Sequence, residues 1–75
     1  MYKLEVPEDV RVTHAPKTLA FIRQYRSATG SGLYEAYMLY WETHFDRKVE
    51  KGRDGKLFVR ANDEEDAIML KLAHF

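Results

Sequence analysis

The first twelve residues alternate between apolar and polar side chains. Residues 2–6, with the sequence YKLEV, have the period of a half-buried strand. Residues 7–9, Pro-Glu-Asp, have the composition of a type I turn. Val10 and Val12 then resume the alternation. The pattern predicts a strand, a turn and a second short strand, an arrangement compatible with a hairpin.

The apolar spacing becomes helical from Pro16 onward. One helix is predicted over residues 16–28, because proline fits the first turn of a helix, and a second helix is predicted over residues 32–44. Gly30 lies where a helix commonly ends in a left-handed residue. One broad face of the second helix holds Leu33, Ala36, Tyr37, Tyr40, Trp41 and His44. Its other face holds Glu35, Met38 and Glu42.

The last third of the chain predicts a hairpin and a third helix. Residues 49–60 are typical of a hairpin that turns at Asp54-Gly55. Asn62 is a good N-cap for the helix, and Glu65 completes a capping-box-like pair. The apolar side of this helix holds Ile68, Met69, Leu72, Ala73 and Phe75, and its other side holds Glu64, Lys71 and His74. These elements predict an α+β domain in which a helical hairpin and a third helix pack on a short antiparallel sheet of undetermined strand order.

Composition and charge narrow the class of protein. A chain of 75 residues supports one core, so residues 1–75 are expected to form a single domain, and 45% hydrophobic residues argue against disorder. Twelve basic and twelve acidic side chains balance, so the net charge favours neither nucleic acid nor an anionic membrane as a partner. The absence of cysteine excludes disulfides and suits a reducing compartment. Because no segment is typical of a signal peptide or a membrane span, we expect a cytoplasmic protein.

The sequence contains no recognisable catalytic or metal-binding motif. His14, His44 and His74 are scattered over three elements, without the closely spaced pair that is typical of a metal site, so no metal or cofactor is expected. Ser27 and Ser31 lack the G-x-S-x-G context of a nucleophile. We therefore expect no enzymatic activity.

The Gly30-Ser31-Gly32 segment between the first two helices has three interpretations. A phosphate-binding loop requires a preceding strand and a Lys-Ser/Thr pair, which this segment lacks. A DNA-reading helix requires a basic exposed face, whereas the second helix offers acidic and apolar side chains there. A structural corner between two helices is therefore the favoured interpretation.

The aromatic residues of the second helix allow a binding interpretation of their own. A platform that stacks the bases of single-stranded nucleic acid would combine Tyr34, Tyr37, Tyr40 and Trp41 with Arg23 and Arg26. Aromatic residues at helical spacing more often fill a core, and the neutral net charge disfavours a nucleic-acid partner. The sequence leaves open whether Tyr37 and Trp41 point inward.

Residues 22–36, IRQYRSATGSGLYEA, resemble the helix-turn-helix core of the C-terminal domain of the bacterial ribosomal stalk protein. That family has the pattern Ile-Lys-x-Val-Arg-x-x-Thr-Gly-Leu-Gly-Leu-Lys-Glu-Ala-Lys. The identical positions are Ile22, Arg26, Thr29, Gly30, Gly32, Leu33, Glu35 and Ala36, and Arg23 replaces a lysine. Residues 62–73, NDEEDAIMLKLA, are similar to the family's last helix. The clear match covers residues 16–37, and a looser one covers residues 56–73.

The resemblance implies a protein-binding role. In that family the domain recruits translational GTPase factors to the ribosome through an apolar and basic surface on its first two helices. Carried over to this chain, the surface falls on Leu19, Ile22, Arg23 and Arg26, which a helical wheel also places close together. Guanidinium groups around an apolar centre are typical of interface hot spots.

Other positions depart from the family pattern. Tyr34 and Tyr37 stand where the family has lysines, Thr18 replaces another lysine, and no strand follows the third helix. We therefore expect that the chain is not the stalk protein itself, and that residues 2–6 take the edge position of the missing strand. Stand-alone domains of this kind resemble small accessory proteins, including some carried by bacteriophages, that engage or imitate a host surface.

The sequence thus predicts a non-enzymatic protein–protein interaction module that binds a bacterial host protein, such as a translation or transcription component, and inhibits or redirects it. The predicted contact residues are Leu19, Ile22, Arg23, Arg26, Tyr34 and Tyr37. One alternative is a single-stranded nucleic-acid binder that uses the same arginines and tyrosines. The other is a self-associating structural protein that buries the aromatic face of the second helix and the open end of the third. A monomer or a weak homodimer is expected.

Overall fold

The structure contains three helices and one three-stranded antiparallel sheet, which is the α+β fold class that the sequence predicts. It is a computed structural model that describes residues 2–75. In chain order the elements are β1 (Tyr2–Glu5), α1 (Glu8–Thr29), α2 (Leu33–Phe45), β2 (Val49–Lys51), β3 (Leu57–Ala61) and α3 (Glu64–His74). Helix α1 packs along α2, and α3 lies against β1 and β3.

β3 is the central strand of the sheet, whose order is β1-β3-β2. Both neighbours run antiparallel to it, and Leu4 and Val49 each lie opposite Val59. The predicted hairpin of β2 and β3 is confirmed, and its turn contains Gly55 at a φ of 82°. β1 occupies an edge of the sheet, as expected for residues 2–6.

Alternation along β3 decides which face of the sheet is covered. Leu57 and Val59 are fully buried and Ala61 is 1% exposed, whereas Phe58 and Arg60 lie on the other face and are half-buried. The core that these three residues share with the helices also contains Val6, Trp41, Phe45, Val49, Ala67 and Leu70. The helices therefore cover one face of the sheet and leave the other partly open to water.

The first helix begins eight residues earlier than predicted, so the second strand predicted at Val10 and Val12 is wrong. α1 starts at Glu8, directly after Pro7. Glu8 and Asp9 lie in its first turn, where carboxylates interact favourably with the helix dipole. The segment predicted to be a turn is therefore the start of α1.

Pro16 lies inside α1 and does not begin it. Val10, His14, Thr18 and Ile22 recur every four residues and are buried or half-buried, so one packed face continues on both sides of the proline. Proline in a helix interior is unfavourable by about 3 kcal/mol, because it lacks an N–H and crowds the preceding turn. The continuous packing of α1 against α2 and the core offsets that cost.

A glycine corner joins α1 to α2. Gly30 has a φ of 73° and donates its backbone N–H to the Arg26 carbonyl at 2.8 Å, which ends α1 where the sequence predicts. The Ser31 N–H donates to the Thr29 hydroxyl oxygen at 3.2 Å. α2 then begins at Leu33 and packs along α1. The segment thus acts as the structural corner that the sequence favours.

Replacing Gly30 with alanine is expected to lower the free energy of unfolding by about 1 kcal/mol. A Cβ at this position meets no atom within 4 Å, so the cost comes from the left-handed backbone alone. Gly32→Ser is the matched control, because Gly32 is the N-cap of α2, has a φ of −72° and equally open surroundings, and serine is favoured at an N-cap. Its effect is expected to stay within about 0.5 kcal/mol. Urea unfolding measures both variants, and equal effects would contradict this role of Gly30.

α2 packs on more than one side, and two of its face assignments are wrong. Ala36, Trp41 and Phe45 are the buried residues of the helix. Met38, predicted on the polar face, is half-buried against the core, whereas Leu33, predicted on the apolar face, is 58% exposed. The reason is that α2 contacts α1 on one side and β2 on another, so its buried surface is wider than a single stripe.

Most of the side of α3 that the sequence marks as apolar does not pack, although Phe75 on that side is half-buried against the core. Ala67 and Leu70 are buried, whereas Leu72 is 84% exposed, and Ile68 and Met69 are also exposed. His74, predicted on the polar side, is half-buried, and its ring centroid lies 5.3 Å from that of Phe45. α3 therefore presents an apolar surface to solvent.

Contacts at the start of α3 determine which side of the helix faces the sheet. The N-cap is Asp63, one residue after the predicted Asn62, and its carboxylate accepts the Asp66 N–H at 2.8 Å. Arg47 donates from Nε to the Asp66 carboxylate at 2.9 Å, and this hydrogen bond, together with that from the Asn62 N–H, lowers the pKa of Asp66 to about 2. With Asp66 held toward Arg47, the following residues Ala67 and Leu70 face the sheet.

Candidate functional site

A groove of about 370 Å³ lies between α1 and α2, and we call it the α1/α2 groove. Its lining consists of Arg11, Ala15, Thr18, Leu19, Ile22, Leu33, Tyr34, Tyr37, Trp41 and Lys51. Ligand-binding sites commonly have volumes of about 300–1,000 Å³ and a mostly apolar lining with a few polar groups. The α1/α2 groove has both properties.

The groove has a buried floor and an exposed rim. Ile22 and Trp41 form the floor and are 6% and 1% exposed, respectively. Leu19, Leu33 and Tyr34 form the rim and are 55%, 58% and 59% exposed. Large apolar side chains that remain exposed around a concavity commonly mark a binding surface in a soluble protein.

The length of α1 and the glycine corner together produce the groove. Arg11, Ala15 and Leu19 are spaced by four residues, so they line one edge of α1. The small side chain of Ala15 leaves space beside α2. The corner at Gly30 brings Leu33 and Tyr34, in the first turn of α2, to the same groove.

The groove lies in a basic part of the chain. Residues 10–34 contain four arginines or lysines and no aspartate or glutamate, although the whole chain is neutral. The four are Arg11, Lys17, Arg23 and Arg26, of which Lys17 lies near His14 and His44 and not in the groove lining. Lys51 adds a fifth cation from β2, with its Nζ 5.6 Å from the centre of the Tyr37 ring, a cation–π geometry. The surroundings of the groove therefore favour an acidic partner.

The structure brings four of the six predicted contact residues together. Leu19, Ile22, Tyr34 and Tyr37 all line the α1/α2 groove. Ile22 is part of the floor and is not the exposed contact that the sequence suggested.

The two predicted arginines lie outside the groove lining. Arg23 is exposed and forms no ion pair within residues 2–75. Arg26 is also exposed, and its Nε donates to the Ser31 carbonyl at 3.3 Å. Both follow the rim and floor residues Leu19 and Ile22 by one helical turn, so they extend the groove's surface toward the corner.

The sequence predicts that the first helix starts at residue 16, and this late start leaves several residues of the groove lining outside the predicted helix. Arg11 and Ala15 fall on the same edge as Leu19 once the helix starts at Glu8, so a longer helical wheel finds them. Lys51 comes from β2, and its place depends on how the sheet packs against α2. No local pattern in the sequence signals that contact.

The three histidines that are scattered in the sequence form one row in the structure. The ring centroids of His14 and His44 are 4.4 Å apart, and those of His44 and His74 are 4.9 Å apart. His14 Nδ1 and the Tyr40 hydroxyl form a hydrogen bond of 2.8 Å. We call His14, His44 and His74 the histidine row. It joins α1, α2 and the end of α3. No group of three His, Asp or Glu side chains within residues 2–75 has a metal-binding arrangement.

The neighbours of the histidine row are cationic. Burial lowers the pKa of His14, and the positive charges of Lys17 and His74 lower it further. Burial likewise lowers the pKa of His44, with His14, His74 and Lys17 adding to the effect. The neutral imidazole is therefore the form of His14 and of His44 that the folded protein favours.

None of the helices formed by residues 2–75 is both long and apolar enough to cross a membrane. Comparisons with family models, with curated proteins and with solved structures find no match to the chain.

Proposed function

We propose that the protein is a non-enzymatic protein–protein interaction module that binds its partner in the α1/α2 groove. The observation that carries this proposal is an apolar groove with a buried floor, an exposed rim and basic surroundings. Leu19, Tyr34 and Tyr37 provide the apolar contact, and Arg23 and Arg26 extend it. Apolar centres next to guanidinium groups are typical of the residues that dominate binding energy.

The lining of the groove suits binding better than catalysis. Its side chains include two cations and no carboxylate or imidazole. The hydroxyl of Thr18 donates to the His14 carbonyl at 2.8 Å, so it is held by the backbone. Histidine and carboxylate side chains are the commonest general acids and bases, and the lining contains neither.

The resemblance to the ribosomal stalk domain supports the choice of surface and of partner. The surface that the resemblance implies includes Leu19 and Ile22, and these residues lie on the groove's rim and floor. On this basis we propose a cytoplasmic partner in the bacterial translation or transcription machinery. By the same resemblance, we propose an accessory protein of phage origin whose binding inhibits or redirects that partner.

Capture from a bacterial lysate followed by measurement with the purified partner tests this proposal. The groove variant is Arg23→Glu/Arg26→Glu. The matched control is Lys48→Glu/Arg53→Glu, because these two exposed cations lie outside the groove lining and change the net charge equally. Calorimetry with the purified partner is expected to give at least a tenfold weaker Kd for the groove variant, about 1.4 kcal/mol, and an unchanged Kd for the control.

Other outcomes decide against the proposal. Equal affinity of a folded groove variant and the control would place the binding surface elsewhere. Capture of single-stranded nucleic acid, with an affinity that falls steeply as salt rises, would favour a stacking role for Tyr34 and Tyr37.

A further inference from the structure

The molecule exposes apolar side chains in two separate places. Eight large apolar or aromatic side chains within residues 2–75 are exposed, and all but Tyr2 belong to two groups. Val12, Leu19, Leu33 and Tyr34 lie on α1 and α2, where the last three form the groove rim. Ile68, Met69 and Leu72 lie on α3. Large apolar side chains that cluster on one surface commonly mark an interaction site.

We infer that the α3 surface of one copy of the chain binds in the α1/α2 groove of a second copy. The inference rests on the proposed function and names a second copy as a partner of that same groove. An amphipathic helix that lays its apolar face in an apolar groove is a common recognition mode. α3 provides such a helix, since its other side already packs on the sheet through Ala67 and Leu70.

The charges of the two surfaces are complementary. The cations of α1 near the groove are Arg11, which lines it, and Arg23 and Arg26, which lie one turn beyond Leu19 and Ile22. Residues 63–75 have four acidic side chains, of which Asp66 is paired with Arg47 and Asp63 caps the helix. Glu64 and Glu65 are exposed and form no ion pair within residues 2–75. The neutral net charge of the chain therefore conceals one basic and one acidic region that attract each other between copies.

The order of apolar and charged residues matches when the two helices run antiparallel. On α1, Ala15, Leu19 and Arg23 follow one another over eight residues, or about 12 Å of helix. On α3, Glu65, Met69 and Leu72 span seven residues, or about 10 Å. In an antiparallel pair, Leu72 and Met69 lie beside Ala15 and Leu19, and the carboxylates lie beside Arg23 and Arg26. A parallel pair would place the carboxylates away from these arginines.

Each copy carries both surfaces, so two copies related by a two-fold axis form the same contact twice. That doubling suits a groove of this size, because one contact of a single helix with a small groove buries little area. Association through both contacts would cover the exposed rim of the groove and the exposed side of α3 together.

Reciprocal charge reversal tests the inference. The groove variant Arg23→Glu/Arg26→Glu and the α3 variant Glu64→Lys/Glu65→Lys are each expected to sediment as monomers under conditions in which the wild type associates. Their equimolar mixture is expected to associate again, because each reversed surface meets a reversed partner. Circular dichroism checks that each variant is folded. Should the α3 variant not fold, Leu72→Glu replaces it, since Leu72 is 84% exposed.

A wild type that remains a monomer up to millimolar concentration overturns the inference, and so does an assembly that neither charge reversal weakens. Suppose that the wild type is a monomer, and that a purified partner binds the wild type and the control variant more tightly than the groove variant. The inference then fails, and the proposed function stands. If both surfaces are required for self-association and the chain captures no other protein, the inference is supported and the proposal of a host partner is contradicted.

Discussion

Trp41→Ala is expected to destabilise the fold strongly, and to shift its urea midpoint far below that of the wild type. Trp41 is 1% exposed and its ring centroid lies 5.5 Å from Phe45 and 5.2 Å from Tyr40. Removing a buried tryptophan costs about 3–5 kcal/mol, because both the transfer energy and the packing around the cavity are lost. A domain of this length has a total stability of roughly 4–11 kcal/mol. The substitution therefore removes a large part of it.

Far-ultraviolet circular dichroism in urea is the appropriate measurement for Trp41→Ala, because Trp41 is the only tryptophan and its fluorescence disappears with it. Trp41→Phe is the matched control. It keeps an aromatic ring against Phe45 and removes Nε1, a buried N–H without a hydrogen-bond partner within residues 2–75. An unpaired buried donor costs about 1–3 kcal/mol, so its removal offsets part of the lost contact. A cooperative transition of Trp41→Ala near that of the wild type would contradict the central role of Trp41.

The fold is expected to lose stability as the pH falls below about 6.5, the ordinary histidine pKa. The folded state lowers the pKa of His14 and His44 through burial and through neighbouring positive charge. Between the lowered values and the ordinary one, the unfolded chain binds more protons than the folded one. The free energy of unfolding therefore decreases as the pH decreases through this window. The stabilisation from neutral His14 and His44 is complete above the ordinary pKa and is lost as the pH falls through the lowered values.

Melting temperatures between about pH 7.5 and about pH 5 measure this dependence, because that range spans the ordinary histidine pKa. His44→Gln removes the central ring of the histidine row and is expected to flatten the curve. The low pKa of Asp66, about 2, places the loss of its contribution at more acidic pH, so the two effects separate. Asp66→Asn is therefore a control whose pH dependence above about pH 5 is expected to match that of the wild type. An unchanged slope in His44→Gln would rule out the histidine row as its cause.

Local patterns in the sequence were sufficient for several elements. The alternation at residues 2–6, the Asp54-Gly55 turn and Gly30 each predict a feature that the structure confirms. These features depend on backbone preferences within a few residues, so tertiary contacts do not reverse them. Gly30 is the clearest case, because its left-handed φ is available to glycine at little cost.

The start of α1 could not be predicted from local signals, since those signals contradict each other. A turn is favoured by Pro7, a short strand by Val10 and Val12, and a helix that starts at residue 16 by Pro16. The packing of Val10 and Thr18 on either side of Pro16 decides for one continuous helix of 22 residues. Pro16 costs about 3 kcal/mol at one position of the helix. The packing contacts along the whole buried face of α1 together outweigh that cost.

The sequence by itself determined the fold class, the helical corner and the part of α1 that carries Leu19 and Ile22, because these follow from periodicity and glycine conformation within short segments. The tertiary structure alone decided that Ile22 is buried beneath an exposed rim and that Lys51 joins the groove. It also decided that α3 exposes Ile68, Met69 and Leu72, and that three histidines far apart in the chain form one row. Each of these depends on the rotation and pairing of whole elements, which contacts between residues distant in sequence establish.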